Sequence, residues 1–501
     1  MKAHLMHEDR DFDSAQELPR HAPSLMQDLE LGTLIGAMAN NDKFLFDVAQ
    51  RAIFSGLSND IDTILYRQAV LNDCLKNPAV VRAIYDLAVE VLEAKRQQWV
   101  GIFSNYPAAV LSGAVSLLEL FSAILVKLKR VAQEHGGQFD SKAFRSLFAV
   151  LERELSDDYL ANLQEILKQL KFPRGALVSA ELAAGNEGKN YVLRKPRQQG
   201  WWQRLIWRGP STLTYRIAER DQAGGRFLSE LRDRGIHLAA NALAQASDHI
   251  LSFFQMLQAE LAFYIGCINL HDRLAAKGES VCFPRPLPAG QRGLRYRGLY
   301  DVSLSLHLNG NVVGNEGEAD GKSLIVITGA NRGGKSSFLR GFGLAQLMMH
   351  CGMFVGAESF DGELCRGLFT HFKREEDAKM KSGKFDEEIA RMSDIADSLS
   401  PNSLLLFNES FAATNEREGS EIAMQIVSAL VEKRVKIVFV THMFEFAHRC
   451  FEEKRQEARF LRAERLDDGT RTFKVVEGEP LETSYGKDLY RKIFLSEIDA
   501  A

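Results

Sequence analysis

Cysteine is scarce in this 501-residue chain. The six residues Cys74, Cys267, Cys282, Cys351, Cys365 and Cys450 include no C-x-x-C pair and no Cys/His cluster. That excludes a disulfide framework and a structural zinc site, and the thiols read as reduced core residues of a cytosolic protein. Neither sign of charge dominates: 66 acidic residues oppose 62 basic ones, a net charge of −4. The chain is no bulk polycation, and any nucleic-acid site has to be a local patch. No apolar run opens the chain, since MKAHLMHEDRDFDSAQELPRH lacks the core of a signal peptide. Only Pro107–Val126 nears the roughly 20 residues of a membrane span. Glu119, serines and a glycine interrupt it, so it reads as a buried core helix.

What is present is an ordinary soluble-globular balance, 46% hydrophobic and 26% charged, in a chain long enough for two to four domains. Residues 1–22 read as a flexible lead. Helical spacing then dominates 23–290, an expected all-α region. Leu29, Leu31, Leu34, Ile35 and Met38 lie on one face, and Ile61, Ile64, Leu65 and Leu71 on another, behind cap residues Ser58-Asn59-Asp60. Leu151, Leu155, Leu163, Ile166, Leu167 and Leu170 mark a further face that Pro173 closes. A run with few breakers from Ile236 to Ala276 would extend roughly 60 Å at 1.5 Å per residue. Proline and glycine cluster in CFPRPLPAGQRG and mark a boundary. From 291 to 501 apolar strands alternate with helices: SLIVIT, SLLLF and KIVFV. That alternation predicts an α/β domain with a parallel-rich sheet covered on both faces.

One segment stands apart. Between Gly188 and Ala218 there is no acidic residue, but there are seven basic ones and three of the four tryptophans. Arg194, Lys195, Arg197, Trp201, Trp202 and Arg204 are the candidate nucleic-acid contacts, cations for phosphates and indoles for exposed bases. A solvated loop whose tryptophans pack on neighbouring helices, or a membrane surface or protein partner, remains open beside that reading.

The chemistry concentrates in Gly329-Ala330-Asn331-Arg332-Gly333-Gly334-Lys335-Ser336, which fits G-x-x-x-x-G-K-[ST] between a strand and a helix. Glycines let backbone N–H groups wrap phosphates, and the helix directs its positive end at the same anion. Lys335 would reach the β- and γ-phosphates, and Ser336, followed by Ser337, would ligate Mg²⁺. SLLLF ends in Asn408-Glu409, where an acidic residue could orient or activate water. KIVFV ends in Thr441-His442, where His442 could sense the γ-phosphate.

These residues resemble the MutS-type DNA mismatch-repair ATPases. ITGANRGGKSSFLR is similar to that family's TGxNxGGKS loop, with Asn331 and the pair Gly333-Gly334 setting it apart from other phosphate loops. FNESFAATNEREG resembles DE-x-G-x-G-T-x-x-x-x-G through Glu409, Thr414 and Gly419. THMFEF resembles TH-x-x-E-L through His442 and Glu445. GKFDEEI resembles STF-x-x-EM through Phe385 and Glu388, Ser484-Tyr485-Gly486 a dimerisation-helix SYG, and Val313-Gly314-Asn315 the adenine-side F-x-x-N. The likeness covers about 295–495. Upstream, the helical region is compatible with the family's core and lever, with TILYRQAVLND a weak match.

The resemblance implies an ATP- and Mg²⁺-dependent ATPase acting as a homodimer on DNA, in mismatch repair or a related repair or recombination process, in a cytoplasmic, nucleoid-associated setting. Asn315 would lie near the base, and Ser382 would reach the partner's γ-phosphate. There are departures. Asn408 stands where the family has aspartate, so metal binding through Ser336 and Asn408 is weak and hydrolysis slow. Phe411, Ala412 and Ala413 replace an arginine and glycines. No mismatch-binding domain with its Phe-x-Glu wedge is evident ahead of the helical core, and no nuclease domain after the ATPase. A nucleotide-switched dimer that organises proteins without DNA is the alternative. A transporter-type cassette is disfavoured because LSGGQ is missing before Asn408.

Overall fold

The apolar runs bounded by glycine and polar residues become short strands, and the amphipathic runs become helices. The structure, a computed structural model, describes all residues except 100–105, 174, 186, 196–212, 219, 375–382, 454–455, 467 and 482–501. In chain order the elements are α1 (Ala22–Asp28), α2 (Leu31–Ala39), α3 (Lys43–Gly56), α4 (Ile61–Lys76), α5 (Pro78–Trp99), α6 (Pro107–His135), α7 (Lys142–Glu154) and α8 (Asp157–Leu170), then β1 (Leu177–Leu182), β2 (Gly188–Arg194) and α9 (Gln222–Ala276). There follow β3 (Arg285–Leu287), β4 (Leu294–Leu299), α10 (Val302–His307), β5 (Asn315–Glu318), β6 (Leu324–Thr328), α11 (Lys335–His350), β7 (Ser359–Glu363), β8 (Leu368–Phe372), α12 (Lys384–Ser398), β9 (Leu404–Asn408), α13 (Glu416–Glu432), β10 (Lys436–Val440), α14 (Phe444–Glu452), β11 (Ala458–Arg465) and β12 (Arg471–Glu477). The chain divides into two compact units, one of residues 1–3, 79–139 and 144–258, the other of residues 4–78, 140–143 and 259–501.

In the first unit, Leu111, Val115 and Leu118 of α6 follow helical spacing and pack with Leu167 of α8 and Ile236 and Ala240 of α9. Two helical stretches, Pro107–Gln138 and Gln222–Ala276, are long and apolar enough to cross a membrane, but 50% and 67% of their most apolar windows are buried inside the protein. The region is not all-α. Strands β1 and β2 form an antiparallel hairpin, Leu177 opposite Arg194, because Leu177-Val178 and Tyr191-Val192-Leu193 are β-formers flanked by glycines. The long helix begins at Gln222 rather than Ile236.

In the second unit a six-stranded sheet runs in the order β12-β11-β6-β10-β9-β8, with only β12 antiparallel to its neighbour. Alternate residues of each strand share a face. Leu324, Val326, Leu405, Phe407, Ile437 and Phe439 pack with Met392 of α12, Met424 and Val427 of α13 and Phe446 of α14. On the opposite face, a Cβ built on Gly343 of α11 would lie 2.8 Å from Leu406. The helices therefore cover both faces, and the central strands β6, β9 and β10 are apolar along most of their length. A second sheet, β3-β7-β4-β5, is mixed.

The opening segment is not a loose lead. Leu5, Met6 and Phe12 are buried, and the N–H groups of Leu5 and Phe12 donate to the buried Glu260 carboxylate at 2.6 and 3.0 Å. Arg67, fully buried, donates to the Met6 carbonyl at 2.8 Å. Glu8, Asp9 and Arg10 of this segment face outward, while Leu5, Met6 and Phe12 anchor it.

Candidate nucleotide site

Strands β6, β10 and β9 are neighbours and parallel, so their C-terminal ends open on the same edge of the sheet. From β6 the chain turns through Gly329 (φ 104°), Arg332 (φ 57°) and Gly334 (φ 95°) before α11 starts at Lys335. Space also demands glycine at Gly333 and Gly334, and at Gly334 the positive φ demands it as well. A Cβ on Gly333 would meet the Ala330 carbonyl oxygen at 2.9 Å, and one on Gly334 would meet that of Phe473 at 2.6 Å.

Lys335 is 4% exposed. Its ammonium donates to the carbonyls of Gly329 and Ala330, both at 2.9 Å, so the lysine closes the loop from within. Burial pushes its pKa down to about 8, against the attraction of Glu409. Ser336 donates its hydroxyl to Oδ1 of Asn408 at 3.0 Å, bringing the loop and the tip of β9 together. Glu409 follows with φ 55°, its N–H donating to the Val440 carbonyl at 2.9 Å. Nε2 of His442, just past β10, lies 2.9 Å from Glu409 Oε1. The imidazole beside it is the main influence holding the Glu409 carboxyl below the usual range, with Lys335 adding to it.

The structure thus brings together Lys335, Ser336, Asn408, Glu409 and His442. Asn315 lines a cavity beside the loop. Asn315 is 5% exposed, and its Oδ1 accepts from the Val475 N–H at 2.8 Å, joining β5 to β12. That cavity, of about 410 Å³, is also walled by Leu304, Leu308, Val312, Val313, Phe338 and Phe473, with Arg332 and Ser337 at its side. Sequence reasoning missed Phe473 because it lies between motifs, on the edge strand. Its carbonyl against Gly334 is the contact that would reveal it.

A hydroxyl and an amide oxygen suit Mg²⁺ only as part of a set completed by phosphates and water, and among the described residues no group of three or more His, Cys, Asp or Glu could hold a metal alone. The donors present therefore fit a magnesium–nucleotide rather than a resident ion. Thr414 donates to Glu418 at 2.6 Å beside the α13 N-cap Asn415. Gly419 packs against the turn after Glu409, where a Cβ would lie 2.3 Å from the Phe411 carbonyl oxygen. Of the nucleic-acid candidates, Arg194 donates to Ser179 at 2.9 Å within the hairpin and Lys195 is exposed. Arg197, Trp201, Trp202, Arg204, the trans candidate Ser382 and Ser484-Tyr485-Gly486 lie outside the described residues.

The family model described as MutS2 N-terminal domain matches residues 59–277, and that described as MutS domain V matches residues 325–498. Among curated proteins, the DNA mismatch repair protein MutS of Petrotoga mobilis is 29% identical over 174 residues, 34% of this chain and 21% of that protein. The DNA mismatch repair protein MutS of Halalkalibacterium halodurans is 26% identical over 257 residues, 50% of this chain and 29% of that protein. MutS protein homolog 4 of Homo sapiens is 28% identical over 137 residues, 27% of this chain and 15% of that protein. The match spans less than a third of the length of each of these relatives.

Proposed function

Because this chain belongs to the MutS family, we propose that it is a DNA-associated ATPase that binds magnesium–ATP on the 329–336 loop and uses its cleavage to drive a conformational cycle in repair or recombination. The observation that supports this reading most is the convergence of Lys335, the Ser336–Asn408 pair and the Glu409–His442 pair on one edge of three adjacent parallel strands.

Lys335, released from its two carbonyls, turns its ammonium to the β- and γ-phosphates, while loop N–H groups and the α11 N-terminus hold their oxygens. Ser336 and Asn408 would hold the Mg²⁺ that arrives with the nucleotide. That ion supplies charge neutralisation on the phosphates. Glu409, kept ionised by its histidine neighbour, orients the attacking water, and His442 lies where it can exchange that contact for one with the γ-phosphate. The adenine enters the cavity walled by Val313, Phe338 and Phe473. Two copies of the chain clasp the nucleotide, with Ser382 the residue reaching across. The helical region carries the movement, and the basic, tryptophan-rich segment meets DNA. Residues 23–290 are read as core and lever and 291–501 as the ATPase domain.

Lys335→Ala is expected to abolish ATP binding and ATP-driven dimerisation, measured with a fluorescent ATP analogue and by light scattering; unchanged affinity would contradict the site. Asn408 favours a second reading, a slow nucleotide switch that organises proteins without DNA, since a neutral amide replaces the metal-side carboxylate. Turnover measured across a panel of homoduplex, heteroduplex and branched DNA separates the two. Stimulation by any of them supports the first, and indifference to all supports the second.

A further inference from the structure

Behind Glu409 the chain makes a turn that the nucleotide-binding residues do not explain. Glu409 and Phe411 both have left-handed backbone, φ 55° and 63°, and neither is glycine. Each such residue costs about 1–3 kcal/mol and persists only where the surroundings over-determine it. The surroundings here are specific. Ser410 and Phe411 are fully buried, as is His371 of β8, and Glu388 of α12 is 4% exposed. The His371 ring stacks on Phe411, centroids 5.3 Å apart and planes 20° from parallel. Its Nε2 faces the Glu388 carbonyl at 3.0 Å and therefore carries a hydrogen. The Ser410 hydroxyl, 2.8 Å from Nδ1, has its one hydrogen placed between that nitrogen and the His371 carbonyl. Glu388 completes the set by accepting the Phe411 N–H on Oε1 at 2.8 Å. Each residue of the turn is thus tied to a different element: Glu409 to β10, Ser410 to β8, Phe411 to α12.

We propose that His371 and Glu388 are positioning residues for hydrolysis: by stacking on Phe411 and fixing the main chain of the 409–411 turn, they hold the Glu409 carboxylate at the angle from which it orients water. This rests on the reading of Glu409 as the water-orienting residue. His371 and Glu388 are buried and are not among the residues assigned to hold the nucleotide, so under this proposal they act on the chemical step and not on binding. A misplacement of about 1 Å in such a group costs on the order of 10²-fold in rate.

The test uses the full-length protein, measuring steady-state turnover of magnesium–ATP and, separately, affinity for a fluorescent ATP analogue. His371→Phe keeps ring volume and stacking but loses both polar contacts, and Glu388→Ala loses the acceptor of the Phe411 N–H. Both are expected to lower kcat at least about tenfold with affinity within about twofold, and Glu388→Gln, which keeps an acceptor oxygen, should recover most of the loss. In a Glu409→Gln background His371→Phe should cost nothing further. Wild-type turnover in His371→Phe, affinity falling in step with kcat, or losses that multiply in the double variant would each overturn the proposal. Wild-type turnover in Glu409→Gln alone would instead remove the underlying reading of Glu409. Should His371→Phe prove insoluble, Ser410→Ala breaks the same anchor with less change of volume; undiminished kcat there would also overturn the proposal.

Discussion

At the residue scale, buried ionisable groups carry much of this protein's design, and Glu260 shows how they respond to pH. Burial raises its pKa from 4.5 to about 7, opposed by the N–H donors of Leu5 and Phe12. Below 4.5 the carboxyl is neutral in both folded and unfolded chains, so burial carries no charge penalty. Between 4.5 and 7 the folded chain keeps a proton that the unfolded chain has lost, so this group's contribution falls as pH rises through that window and levels off above it. Glu260→Gln should flatten that slope in urea titrations from pH 4.5 to 8. It should also lower stability at pH 5 by about 1–3 kcal/mol, because the amide NH₂ confronts one of the two N–H donors. A variant as stable as wild type at pH 5 would show that the two N–H bonds do not matter. At Asn408, restoring the carboxylate (Asn408→Asp) is expected to raise ATP turnover; equal or lower turnover would show that the asparagine is not what limits it.

At the scale of elements, the fit between α13 and the turn it covers is tight. Gly419 brings this helix so close to the Phe411 carbonyl that a methyl group would overlap it, and overpacking of that kind costs about 1–3 kcal/mol. Gly419→Ala should therefore lower the unfolding midpoint and, by shifting Phe411, reduce turnover more than nucleotide affinity; a thermally neutral variant would mean the helix can slide. Much of this layout was legible in the sequence. The strand–loop–helix around Lys335 was readable because glycine, lysine and serine have so few other reasons to occur in that order. Asp60 was readable as a cap, and it does accept the Thr63 N–H at 2.8 Å. The β1–β2 hairpin was hidden because its strands, LVSAEL and GKNYVLR, lack a clean alternation of apolar and polar residues and bury neither face deeply. Asn315 illustrates a different limit: its place near the site was readable, but only geometry shows that its amide oxygen also holds the Val475 backbone of β12. Ile166, counted on the α8 apolar face, is 43% exposed, since helical spacing defines a stripe but not its width.

At the scale of the whole molecule, the nucleotide loop belongs to the unit of residues 4–78, 140–143 and 259–501. A ligand that binds only the folded form stabilises it by about 2.7 kcal/mol at a hundredfold excess over Kd. Calorimetry with a non-hydrolysable ATP analogue and Mg²⁺ is expected to raise the transition of that unit and leave that of the other where it was. Equal displacement of both, or of neither, would count against the assignment. The same division has a consequence for birth of the chain on the ribosome. Residues 4–78 emerge early, yet, apart from residues 140–143, the stretch they fold with begins only at Ala259. At about 5–20 residues per second, the early helices wait roughly 10 to 40 s with their apolar stripes uncovered. The intervening unit can close during that delay, and the first helices are the segment of the nascent protein most in need of a chaperone.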